Sequence, residues 1–238
     1  MSGTARAEEI QKFDTLAAEW WDPRGPMAPL HAMNPLRCGW IAERVARRYG
    51  RVEDDLSGLR ILDVGCGAGL ASEALARRGA TVTGLDAAGA ALSAARSHAA
   101  ASGLPVEYRE GRPEQLSGEW DAVVSLEVIE HVSDRATFLH SLFRLCRPGG
   151  LVFLSTLNRT PHSFLVAKLG AEYVLRLLPR GTHDWKMFVT PSELGGELRA
   201  AGLRVTDVAG MSFDPFTRHW RASRDLAVNY IVAAERPA

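Results

Sequence analysis

No stretch of this chain comes near the 18 or so uncharged residues that a bilayer-spanning helix needs. Its opening residues, MSGTARAEEI, also lack the apolar run of a secretory leader. The sequence thus predicts a protein that crosses no membrane, while contact with a membrane surface stays open. Cysteine is sparse too. Cys38, Cys66 and Cys146 are scattered, odd in number and without the spacing of a zinc site, which predicts packed, reduced thiols and a cytoplasmic compartment. Neither sign of charge is in excess: 28 Lys and Arg face 28 Asp and Glu, a formal net charge of +0, so no overall field favours nucleic acid. What the chain does have is 238 residues, 46% of them hydrophobic, enough for the core of a single domain.

From residue 59 onward, short apolar runs alternate with helical stretches, the pattern of a parallel sheet with crossover helices. The predicted strands are 59–64, 80–86, 106–110, 120–127 and 151–158. Helices are predicted at 69–78, 87–102 and 134–146, with RPGG (147–150) as a turn before the fifth strand. The rhythm then breaks for about thirty residues, and a helix at 190–202 and strands at 203–210 and 226–235 complete it. Residues 1–50 lack this rhythm and read as a helical cap, with a helix at 35–49 and Phe13, Leu16, Trp20 and Trp21 at near-helical spacing. Those tryptophans suit either a core anchor or a wall of a substrate pocket. One domain results, with the cap at 1–50, a ligand-binding half at 51–158, an insertion or lid at 159–190 and closing elements at 191–238.

Chemistry concentrates first in LDVGCGAGLA, where an apolar strand runs into glycines at positions 65, 67 and 69. A strand, a glycine turn and a helix let a ligand sit against bare amides. A dinucleotide site wants G-x-G-x-x-G, which would need glycine at Leu70; the chain has G-x-G-x-G, preceded by Asp63. Asp86 ends the second predicted strand, where a carboxylate accepts hydrogen bonds from both hydroxyls of a ribose or else caps the next helix. Together these features predict an adenosine ligand without a pyrophosphate.

The run ILDVGCGAGLASEALARRGATVTGLDAA resembles the first motif region of class I S-adenosylmethionine-dependent methyltransferases. The resemblance implies an α/β, Rossmann-like fold: a seven-stranded, mostly parallel sheet whose last strand is antiparallel, with helices on both faces. It also implies that Asp63, Gly65, Gly67, Gly69 and Asp86 hold S-adenosyl-L-methionine and that Leu126 packs near its methionine part. GRPEQL (111–116) falls where the class frames the adenine, although Gly111 stands where many members carry Asp.

NPLR (34–37), SLEVIEHV (125–132) and the long stretch 155–194 resemble, more narrowly, the ubiquinone biosynthesis O-methyltransferase family, from Phe13 to Ala234. That family methylates phenolic hydroxyls of 2-polyprenyl-6-hydroxyphenol and 3-demethylubiquinol. By resemblance Arg37 contacts the cofactor, and a guanidinium suits its carboxylate; otherwise Arg37 is a surface cation. The family's Mg²⁺ ligand positions match Glu127, Glu130 and His131; alternatively His131, with Glu130 a further catalytic candidate, is the base for a phenol of pKa near ~10, or Glu130 and His131 are packing and cap residues. His183, beside Asp184, is a second candidate for positioning the phenol.

The substrate's long tail keeps it in the bilayer, each buried methylene being worth about 0.8 kcal/mol. As a helix, SFLVAKLGAEYVLRLLPR would place Lys168, Glu172 and Arg176 on one side and Val166, Leu169, Tyr173 and Leu177 on another. Residues 163–186 hold four basic side chains (Lys168, Arg176, Arg180, Lys186) and two acidic ones (Glu172, Asp184), a local charge of +2. The sequence therefore predicts peripheral contact through 163–178 with the inner face of the cytoplasmic membrane, a lid helix being the alternative. Association with other enzymes of the pathway is a further expectation. The rival functions are methylation of another small aromatic acceptor, or binding of S-adenosylmethionine without turnover.

Overall fold

The computed structural model describes residues 4, 11, 14–165, 185–214, 217 and 219–238. The first long element is α1 (Ala28–Arg48), with Pro29 in its first turn and Arg47 and Arg48 in its last, where cations oppose the negative helix end. It begins well before residue 35. Its buried residues, among them Cys38, Ile41, Ala42 and Val45, recur at three- and four-residue spacing and pack against Ile61, Val82, Phe153 and Ile231 of the sheet. This helix forms one layer of the core.

The chain then runs β1 (Arg60–Val64), α2 (Leu70–Ala76), β2 (Thr81–Asp86), α3 (Gly89–Ala101), β3 (Glu107–Glu110), β4 (Trp120–Leu126), α4 (Arg135–Leu145) and β5 (Cys146–Leu157). It closes with α5 (Pro191–Ala200), β6 (Arg204–Asp214), β7 (His219–Ser223) and β8 (Asn229–Glu235). The near-continuous burial of β1, β2 and β4 is what a parallel strand covered on both faces requires. α1 and α2 cover one face, while Phe138, Leu142, Leu194 and Leu198 of α4 and α5 cover the other.

The strand order is β3-β2-β1-β4-β5-β8-β6-β7. β1 to β5 are parallel, and the last strand, β8, is antiparallel to both β5 and β6. Eight described strands replace the seven expected. The extra one is β7, an edge strand antiparallel to β6 that pairs Trp220 with Phe213. Its residues, HWRAS, give no apolar alternation to read, because an edge strand has little to bury. RPGG is likewise drawn into β5, where Gly149 N–H donates to Arg236 O at 2.8 Å.

β1 lies between β2 and β4. Chain order therefore reverses at the carboxyl ends of β1 and β4, and a crevice opens there.

Candidate functional site

At that crevice β1 ends and the chain turns on Gly65, Gly67 and Gly69, with φ of 74°, 52° and 89°. Side-chain-bearing residues adopt these angles only at a cost. Gly65 and Cys66 N–H donate to Leu85 O (2.7 and 3.2 Å), and Gly69 N–H donates to Cys66 O at 2.9 Å. A Cβ on Gly65 would strike Val128, on Gly67 the Trp20 indole and on Gly69 the Tyr108 hydroxyl. The bare backbone thus serves two needs at once: left-handed angles and the close approach of three side chains from distant segments. Nothing in the local sequence pointed to Val128 or Tyr108 as neighbours of the loop.

Asp86, at the end of β2, touches the loop directly. One carboxylate oxygen accepts from Gly67 N–H at 2.7 Å and the other from Ala88 N–H at 2.8 Å. Burial, only partly offset by these bonds, lifts its pKa above the usual carboxylate range. Gly111 N–H donates to Asp86 O at 2.8 Å, bringing the start of the 111–116 loop alongside. Asp63 lies beneath this surface, 2% exposed, and accepts from Ser72 Oγ at 2.6 Å, tying α2 to β1. Burial pushes the Asp63 carboxyl up to about 6 against that bond.

Both tryptophans join the loop. Trp20 is buried with Met27, Ala68, Leu70 and Ala88, so it anchors packing and abuts the glycines together. Trp21 Nε1 donates to Ala68 O at 3.0 Å, and its ring stacks on His98 with centroids 3.4 Å apart. His98 Nδ1 in turn lies 2.6 Å from Oε1 of the buried Glu73. Phe13 falls outside the described residues.

Arg37 is no surface cation: it is 3% exposed. Its NH1 faces Glu127 Oε1 at 3.5 Å, while its buried Nε has no hydrogen-bond partner among the described residues. Glu127 follows Leu126, which ends β4 half-buried, and adopts φ 56°. Its N–H donates to Ser155 O at 3.0 Å, and its Oε1 accepts from Ser155 Oγ at 2.6 Å. Glu130 belongs to a 3-10 turn, Ile129–His131, and accepts from Thr156 Oγ1 at 2.9 Å. Burial, with repulsion from Glu127 behind it, pushes this carboxyl up to about 7, and His131 opposes the rise. His131 is half-buried at the end of the same turn.

Glu127, Glu130 and His131 are neighbours in space as well as in sequence, but they do not form a metal cage. Among the described residues no group of three His, Cys, Asp or Glu side chains is placed to hold a metal ion. Glu127 is turned to Ser155 and Arg37, and Glu130 to Thr156. His183 and Asp184 lie outside the described residues.

A family model described as a methyltransferase domain matches residues 38–208. The chain is 50% identical to the ubiquinone biosynthesis O-methyltransferase of Dinoroseobacter shibae, over 99% of this chain and 98% of that one. It is 48% identical to the protein of that name from Pseudomonas aeruginosa, over 97% of each. Among solved structures it is similar to magnesium protoporphyrin IX methyltransferase from Synechocystis with bound SAH. That match has a TM-score of 0.65 and 21% identity, over 95% of this chain and 94% of the other. A SAM-dependent methyltransferase from Aquifex aeolicus matches with TM-score 0.63 and 16% identity, over 95% and 98%. At such identities these two speak for the fold alone.

Proposed function

The chain belongs to the ubiquinone biosynthesis O-methyltransferase family, and from that premise we propose that its crevice moves a methyl group from S-adenosylmethionine to a phenolic oxygen of a polyprenylated ubiquinone precursor. The acceptors are 2-polyprenyl-6-hydroxyphenol and 3-demethylubiquinol. The observation that carries this reading is the 2.7 Å contact of Gly67 N–H with Asp86, which joins the glycine turn to the β2 acid. The residues present fit the cofactor: Asp86 for the ribose hydroxyls, the turn at 65–69 and Leu126 for the methionine part, and the uncommitted Arg37 Nε for a carboxylate.

When bound, the cofactor supplies a methyl carbon on a positively charged sulfur. Transfer to the phenolic oxygen would form the new carbon–oxygen bond as the carbon–sulfur bond broke, its electron pair staying on sulfur as a neutral thioether. In-line placement of the oxygen does much of the work. His131, half-buried at the carboxyl edge, takes the phenol proton, and Glu130 sits buried in the same turn.

The acceptor's tail requires the enzyme to work at a bilayer surface. Among the described residues no helix is long and apolar enough to cross a membrane; the contact proposed is peripheral, through 163–178, at the inner face of the cytoplasmic membrane. Association with enzymes acting before or after it on the same membrane-bound acceptor follows from that location.

Incubation with methyl-labelled S-adenosylmethionine and a polyprenyl catechol tests the activity, with label expected in the extracted lipid. Absence of label would overturn catalysis. Label on a tail-less catechol alone would redirect the assignment to another aromatic acceptor.

A further inference from the structure

Glu127 is one of two non-glycine residues with a positive φ among the described residues, and it sits against the cofactor crevice. A side-chain-bearing residue holds such an angle where its surroundings impose it, and such residues gather at ligand sites. Two contacts impose it here, both from Ser155: its carbonyl takes the Glu127 N–H at 3.0 Å and its hydroxyl donates to Glu127 Oε1 at 2.6 Å. The next residue, Val128, presses on Gly65, so the carboxylate is delivered to the edge of the glycine turn.

Beside it stands Arg37, 3% exposed, with NH1 at 3.5 Å and an Nε that is buried without a partner. A guanidinium fork carries five donors, and this contact uses one of them at a long distance. The pair is therefore a buried cation and a largely buried anion, side by side and incompletely matched. A group bearing both charges on substituents of one carbon would satisfy each of them: an α-amino acid.

Resting on the S-adenosylmethionine reading above, we infer that Glu127 binds the α-ammonium of the cofactor's methionine part while Arg37 binds its carboxylate. Glu127 is then a reader of the cofactor's zwitterion and not a metal ligand. An adjacent guanidinium and a hydroxyl donor both meet its Oε1, which fixes the carboxylate beside Arg37. The site also gains selectivity, because a nucleoside without the amino acid leaves Arg37 and Glu127 as incompletely matched as they are now.

Calorimetric titration tests this, with S-adenosylhomocysteine and 5′-methylthioadenosine added to the wild type, Glu127→Gln and Ser155→Ala. Glu127→Gln keeps the shape and an acceptor for Ser155, so its fold is expected to survive. Affinity for S-adenosylhomocysteine should fall by roughly 10- to 100-fold, the worth of one charged hydrogen bond. Affinity for 5′-methylthioadenosine should not change. Ser155→Ala should give a smaller loss with the same selectivity, which provides a second readout should Glu127→Gln fold poorly. Equal losses for both ligands would make Glu127 a merely structural residue and overturn the inference. Unchanged S-adenosylhomocysteine affinity together with loss of Mg²⁺ binding in Glu127→Gln would overturn it in favour of a metal role. If the wild type bound neither nucleoside, the cofactor assignment itself would fall, an outcome distinct from the other two.

Discussion

His131 and Glu130 are adjacent in sequence and differ in what the fold lets them do. Glu130 is 3% exposed and committed to Thr156, whereas His131 is half-buried and close enough to weigh on the Glu130 carboxyl. His131→Ala should lower kcat by about 10²- to 10⁴-fold, the usual worth of a general base. Its affinity for S-adenosylhomocysteine should stay near that of the wild type. Loss of nucleoside binding in a titration of this variant would place the imidazole in the cofactor pocket instead. At this scale the sequence shows the glycine turn and Asp86, because their requirements are local: left-handed φ, and a carboxylate at a strand end. It does not show that Trp20, Val128 and Tyr108 lean on the three glycines, since those contacts join segments far apart in the chain.

Among the elements, α5 begins with a reciprocal cap. Thr190 Oγ1 accepts from Glu193 N–H at 3.3 Å, and Glu193 Oε2 accepts from Thr190 N–H at 2.9 Å. The cap sets the helix so that Leu194 and Leu198 enter the core. Thr190→Ala should cost about 1 kcal/mol, seen in urea titration as a lower midpoint with an unchanged slope. The cap is readable in TPSEL, as T-x-x-E before an apolar run. β7 is not, because an edge strand draws its order from the strand beside it. The segment 163–178 makes its own prediction. Leu169→Glu with Leu177→Glu should abolish co-sedimentation with anionic liposomes while leaving S-adenosylhomocysteine binding intact; undiminished lipid binding would remove this segment from the membrane contact.

For the whole molecule, two of the carboxyls raised by burial, Glu130 and Asp63, govern one part of the pH response. Glu130 rises from an ordinary 4.5 to about 7 and Asp63 from 3.8 to about 6. Between the unfolded and folded values the native state holds more protons than the unfolded chain, so each group's contribution falls as pH rises. For Glu130 the contribution is complete below 4.5 and gone above about 7. Denaturant midpoints of wild type and Glu130→Gln should therefore diverge across that window, with the wild type losing ground as pH increases. A constant difference would show that this carboxyl titrates normally in the native state.

The sequence alone determined the parallel α/β order, the glycine turn, the acid after β2 and the family, because each is carried by short-range pattern or by likeness spread along the chain. Tertiary structure alone decided that α1 is a layer of the core, that Arg37 is buried beside Glu127, and that Glu127 is turned to Ser155 while Glu130 is turned to Thr156. Those outcomes depend on how burial, charge and hydrogen bonds balance between residues as far apart as 37 and 127. No local spacing records that balance; it exists only once the sheet has brought its strand ends together.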